Sequence, residues 1–300
     1  MSPFNQRLSY NTQSHTNASD QPNKELPFEI HIGNLDQLWA DTTRATTPSH
    51  LVVTPTDLHQ RNLEARLRSQ QQPHSNFTFR RIGELAGDVT STHTAISTAL
   101  DRVDRLMLID DVLSEADTAV YENLGASLGT PLGQHIERLE RTRSELELVT
   151  GFHPRRMEAF AAALEDHSKP TATETLDILA GVSHLHRDLQ QRLSSSSTQF
   201  STQAVSKTSL LCRAIRLLQT EPQSAESTWE QAYPDIETLS VTATSMFTAP
   251  VADLCRLLSQ TTDVDVHVHL RAATGPQIHQ QLPAETTIET PGLQGVFEWR

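Results

Sequence analysis

The feature that most restricts what this chain can become is an interruption. Strand and helix patterns alternate at its start, a long helical stretch follows, and strand patterns return near its end. Phe28-Glu29-Ile30-His31-Ile32 alternates apolar and polar side chains as a half-buried strand does. The turn signal Gly33-Asn34 follows, then a helix expected to carry Leu35, Leu38 and Trp39. Leu51-Val52-Val53-Thr54-Pro55-Thr56 reads as a second strand stopped by proline. Asp57 is expected to cap the next helix, with Leu58, Leu63 and Leu67 on roughly one side. Phe77-Thr78-Phe79 is a third strand, and Ile82, Leu85 and Val89 mark the helix after it.

From about 93 to 221 the apolar residues recur at helical spacing, most clearly at Leu176, Leu179, Val182, Leu185, Leu189 and Leu193. Alternation resumes at Leu239, Val241 and Ala243, a helix is expected over Val251 to Leu258, and Val264, Val266, Val268 and Leu270 alternate with Asp265, His267 and His269. Strands separated by helices predict a mostly parallel sheet with helices on its faces, an α/β fold. The predicted organisation is a polar, disordered tail at 1–25, an α/β core at 26–92 and 235–272, a helical insertion at 93–234, and an irregular segment at 273–300.

Three hundred residues can bury a substantial core. The formal net charge is −13, and three lysines (Lys24, Lys169, Lys207) stand against 21 arginines, with Thr plentiful. Such a surface suits a protein that stays soluble in concentrated salt. Overall acidity opposes nucleic-acid binding by total charge but leaves room for a local basic groove. Cys212 and Cys255 have no CxxC spacing and sit in apolar helical patterns, so they are expected to be buried free thiols. Neither a signal-peptide core nor a membrane-length apolar run is present, which predicts a cytoplasmic protein without a membrane partner.

The order of the pieces carries a resemblance. Gly33-Asn34-Leu35, then Leu51 to Thr56, then Thr78-Phe79 leading into Ile82-Gly83-Glu84-Leu85-Ala86, is similar to the start of a superfamily 1 helicase domain. It most resembles the B subunits of bacterial AddAB helicase–nucleases and their archaeal relatives. The resemblance implies a P-loop-NTPase-like sheet with a large helical insertion. It also implies that a strand ending in "TPT"-like residues touches single-stranded DNA, which places candidate contacts at Thr54, Thr56, Thr78, Phe79, Arg80 and Arg81. Two departures bear on mechanism. A working phosphate loop needs several glycines, a lysine and a hydroxyl. Here the loop reads Gly33-Asn34-Leu35-Asp36, with no lysine and with Asp36 placed to repel phosphate. The acidic pair that holds Mg²⁺ should close the strand at Leu239-Ser240-Val241, yet Thr244-Ser245-Met246-Phe247 follows. The chain is therefore expected to be no enzyme by itself and to need no cofactor. It would serve as a scaffold or single-stranded-DNA-contacting partner of a motor helicase or nuclease subunit. Its apparent end near the close of a first helicase domain also suits a truncated remnant, and a separate enzyme with an unrecognised site is the further alternative.

Other constellations read more plainly. Asp265, His267 and His269 share one strand face, read as the polar side opposite the valines, and no metal is assigned. No G-x-S-x-G elbow occurs. Arg138, Arg141 and Arg143 are interleaved with Glu137, Glu140, Glu145 and Glu147, which favours ion pairing along one helix over DNA contact.

Overall fold

The computed structural model describes residues 27–33, 36–39, 47–115, 118–129, 132–165, 170–195, 202–220, 222–244 and 247–281. The tail expected at 1–25 and the loop residue Asn34 lie outside them. The strands are β1 (Glu29–Ile32), β2 (His50–Thr54), β3 (Phe77–Arg81), β4 (Thr98–Ala99), β5 (Gln203–Ala204), β6 (Thr238–Thr244) and β7 (Asp265–Leu270). Among the described residues, five of them form one sheet in the order β1-β7-β6-β2-β3, and every neighbouring pair is parallel. The fold is thus the α/β parallel sheet that the alternation predicts, and it is consistent with the P-loop-like sheet that the resemblance implies. β4 and β5 make a separate parallel pair.

Parallel strands need crossovers that cover the sheet, so both faces are buried. One face sets Leu51, Val53, Leu239, Val241, Val266 and Val268 against apolar residues of α2 (Ile82–Ser91), α8 (Lys207–Gln219), α9 (Pro222–Ala232) and α10 (Ala249–Thr261). The other sets Val52, Phe77 and Phe79 against Leu63 and Leu67 of α1 (Asp57–Ser69) and against Leu38 and Trp39. Between β3 and β6 lie α3 (Arg102–Glu115), α4 (Thr118–Leu128), α5 (Ile136–Thr150), α6 (Pro154–Glu165) and α7 (Pro170–Ser195). Helices α3, α4, α5 and α7 pack around their own core of Ile109, Leu124, Leu139, Val182, Leu185 and Leu189. α8 and α9, which continue the same helical stretch, instead pack with the sheet through Leu211, Leu218 and Trp229.

Four local expectations change. Thr56, not Asp57, caps α1. Its backbone is extended at φ −147°, and its hydroxyl accepts from the His59 N–H at 3.2 Å. An N-cap needs extended backbone, and Asp57 is already helical. Leu58 is 69% exposed, because it stands five positions from Leu63 and an α-helix turns roughly 100° per residue. After β1, Asp36–Trp39 form a 3₁₀ turn in place of the expected α-helix. Beyond β7, a short helix α11 (Gly275–Gln281) stands within the segment expected to be irregular.

Candidate nucleic-acid interface

Because the five strands are parallel, all their C-terminal ends reach one edge, where ligands of open α/β sheets bind. Gly33, Thr54, Arg81 and Leu270 end or directly follow their strands there. Gly33 turns at φ +72°, a conformation that favours glycine. Its N–H donates to the Leu270 carbonyl at 3.0 Å. A Cβ on Gly33 would lie 3.0 Å from the Ala272 Cβ, and one on Gly275 would lie 2.8 Å from Ile32 Cγ2. The loop glycine is therefore wedged against residues 271–275, and its amide extends the β1–β7 ladder. A phosphate cradle instead needs amides pointing outward and an α-helix N-terminus behind them, whereas a 3₁₀ turn follows here. Asp36 opens that turn; Asn34 lies outside the described residues.

The residues expected to meet DNA divide into three groups. Thr54 and Arg81 are register partners at the ends of β2 and β3, and Thr56 stands two residues beyond Thr54. The Arg81 side chain pairs with Glu84 and lies 3.1 Å from Asp57, while its backbone N–H donates to Glu84 at 2.8 Å. These carboxylates hold the guanidinium across the start of α2 and raise its pKa, mainly through the Glu84 hydrogen bond. Thr78 and Arg80 face the other way, since successive strand residues alternate. Arg80 donates to Asp88 at 2.9 Å, and the Tyr233 hydroxyl donates to the same oxygen at 2.7 Å. Phe79 is 8% exposed and packs beside Phe77 in the core.

The fold brings to this edge groups that the sequence pattern does not single out. Thr54 is 1% exposed and its hydroxyl has no protein partner. The buried Nε2 of His59, in the first turn of α1, and the buried Oγ1 of Thr274, just before α11, have none either. Burial and the charge of Arg271 hold the His59 imidazole below its ordinary range. No signal pairs 54–59 with 271–274, because only the folded sheet sets β2 and β7 one strand apart, on either side of β6.

The model of the family described as halobacterial UvrD-like protein matches residues 13–298. The chain belongs to that family. No curated protein matches the sequence. The match is UvrD-like and helicase-like, and it does not reach the narrower likeness to AddB-type subunits.

In this UvrD-like chain a buried ionic cluster joins α3 and α5 to the start of α8. Arg143, fully buried, donates to Glu140 at 2.7 Å and to Glu147 at 3.0 Å. Arg105 also pairs with Glu140, and Ser206 and Ser209 donate to Glu147. The ion pairing expected within 137–147 is present, also as Arg141–Glu145 at 3.0 Å. Beside it, a cavity of about 530 Å³ is lined by Phe152, Arg156, His186, Cys212 and Asp253 among others. Both cysteines are free, and burial pushes each thiol up to about 12. Among the described residues no helix is long and apolar enough to cross a membrane.

Proposed function

We propose that this UvrD-like chain is a helicase-like module that has given up ATP turnover and acts as a scaffold or single-stranded-DNA contact in the processing of DNA breaks. The observation that carries the proposal is the Gly33 amide bonded to Leu270, with a 3₁₀ turn where a phosphate-binding helix would start. Without outward amides, a lysine or an acidic pair after β6, the charge of a transferring phosphoryl group has nothing to neutralise it. Family membership supports the helicase-like part. The role in break repair, and the motor helicase or nuclease subunit as partner, rest on the resemblance to AddB-type subunits.

DNA contact is assigned to the C-terminal edge, through the exposed Thr56 hydroxyl and Arg81, with Arg271 and His59 nearby to receive a phosphate. Phe79 is left out because it is buried, and Thr78 and Arg80 because they face away. ATP hydrolysis by the purified chain, with and without single-stranded DNA, tests the loss of turnover. A DNA-stimulated rate in the ordinary enzyme range of ~1–10³ s⁻¹ would overturn the reading. Recovery of a motor or nuclease subunit with the chain from a high-salt host tests the partner, and a chain that emerges alone counts against it.

A further inference from the structure

β1 is the edge strand of the sheet, four residues long, and β7 is its neighbour, more than two hundred residues away in sequence. Their register sets Glu29 beside His267 and His31 beside His269. Residues two apart on a strand share a face, so these four side chains form a square on one side of the sheet. Ile30, Val266 and Val268 between them pack into the core on the other side. A sequence pattern shows each half of the square as an ordinary polar strand face, and the fold joins the halves.

Three ligand-type atoms converge within the square. His31 Nε2 lies 3.0 Å from His267 Nδ1, and one Glu29 carboxylate oxygen lies 3.6 Å from the first and 3.4 Å from the second. A purely hydrogen-bonded cluster would draw the carboxylate to about 2.7–2.9 Å from one ring N–H. Here the oxygen stands off both rings almost equally. The two carboxylate edges bracket the spacing of donors around a common centre, since metal–ligand bonds of about 2.0–2.1 Å in a tetrahedron put the donor atoms about 3.3–3.4 Å apart, and the 3.0 Å edge between the rings opens by a few tenths of an ångström to reach it. The rings are also held in place. His31 stacks on His267 and on the buried His269, at 5.3 and 4.7 Å between centroids.

We propose that Glu29, His31 and His267 form a binding site for a tetrahedral divalent transition-metal ion of the Zn²⁺ class, which staples the edge strand β1 to β7. Two imidazoles and one carboxylate suit zinc and its neighbours, while Mg²⁺ and Ca²⁺ prefer oxygen ligands. The fourth position is left to water, on the side where Glu29 is exposed. The site's role is to close the sheet: β1 is short and, among the described residues, has a strand partner on one side only, and a metal bridging it to β7 adds a bond that the ladder alone does not supply.

The test is titration of the untagged, chelator-stripped chain with Zn²⁺ against a chromogenic competitor, and with Co²⁺ followed by its visible absorption. The expected result is one tight equivalent, a tetrahedral Co²⁺ spectrum and a thermal midpoint raised by Zn²⁺. His31→Ala and His267→Ala should each abolish the tight step. Glu29→Gln, at an exposed position that leaves the fold intact, should weaken it at least ~10-fold, the scale seen even when an outer-shell partner is lost. Absence of a tight equivalent overturns the proposal. So does a tight step that survives unchanged in His31→Ala, His267→Ala or Glu29→Gln, and the His31–His267 contact is then a hydrogen bond.

Discussion

Arg156 of α6 and Asp253 of α10 lie 97 residues apart, and the Arg156 Nη2 is 2.6 Å from each carboxylate oxygen. The pair ties the helical insertion to the helix between β6 and β7, with the two side chains 3% and 17% exposed. Burial raises the Asp253 carboxyl above its ordinary range, and Arg156 pulls it back toward the charged form. Removing one partner of such a pair leaves an uncompensated buried charge, at a cost of about 3–5 kcal/mol. Arg156→Ala is expected to lose stability on that scale in denaturant unfolding at fixed salt. Arg156→Met combined with Asp253→Asn should recover most of the loss. A loss below ~1 kcal/mol, the scale of an exposed pair, would show that the pair does not hold the insertion to the core.

His186 gives a pH signature. It stacks on Phe152 at 3.9 Å between centroids and bonds Gln190 at 3.0 Å. Burial, the largest cause, lowers it from 6.5 to about 4; Arg143 and Arg216 also lower it, and Glu147 and Glu140 oppose. Between those values the unfolded chain binds a proton that the folded chain refuses. The stability is therefore fully present above pH 6.5 and is lost as the pH falls toward 4. At 1.36 kcal/mol per unit the loss is about 3 kcal/mol. Unfolding free energies of wild type and His186→Phe, compared across that window at constant salt, isolate the effect: the difference between them should change by about that amount. Parallel curves would mean that His186 does not titrate with unfolding.

How far the sequence could be read differs from element to element. The strand segments at 28–32, 51–54, 77–79, 239–243 and 264–270 all enter one parallel sheet, because an alternating or short continuous apolar run reports a local property. What alternation cannot report is which strand lies beside which. It therefore marks Glu29 and His31 as one polar face and His267 and His269 as another, and their meeting follows from the order β1-β7-β6-β2-β3. The same limit hides that His59 and Arg271 come within electrostatic reach of each other. Neighbouring arginines mislead differently: Arg80 and Arg81 read as one basic cluster, yet one lies on each face of β3.

Salt should stabilise the fold. Thirty-seven Asp and Glu against 24 Lys and Arg leave a repulsive surface at neutral pH, and at about 1 M salt the screening length shrinks to about 3 Å. Thermal midpoints are expected to rise from low to multimolar KCl. The buried Arg143–Glu140–Glu147 cluster should be little screened, so Arg143→Met should lower the midpoint by a similar amount at every salt concentration. A wild-type midpoint that is flat across the series would refute the salt-adapted reading of the composition.

The opposite placement of Arg80 and Arg81 makes the DNA proposal divisible. Arg81 stands at the C-terminal edge beside Thr54, while Arg80 is directed at Asp88 and Tyr233 on the other side. A phosphate reaching the edge must compete with Glu84 and Asp57 for Arg81. It must also do so in salt, where each neutralised phosphate adds to the dependence of affinity on ionic strength. Binding by the isolated chain should therefore be weak and steeply salt-dependent. In a single-stranded DNA titration over several salt concentrations, Arg81→Ala is expected to weaken binding and reduce the logarithmic salt slope by about one contact. Arg80→Ala should leave both unchanged and cost at most ~1 kcal/mol of stability, since its pair with Asp88 is part-exposed. Equal slopes for wild type and Arg81→Ala would remove this edge from the DNA path. A loss confined to Arg80→Ala would move the contact to the α2 face of the sheet.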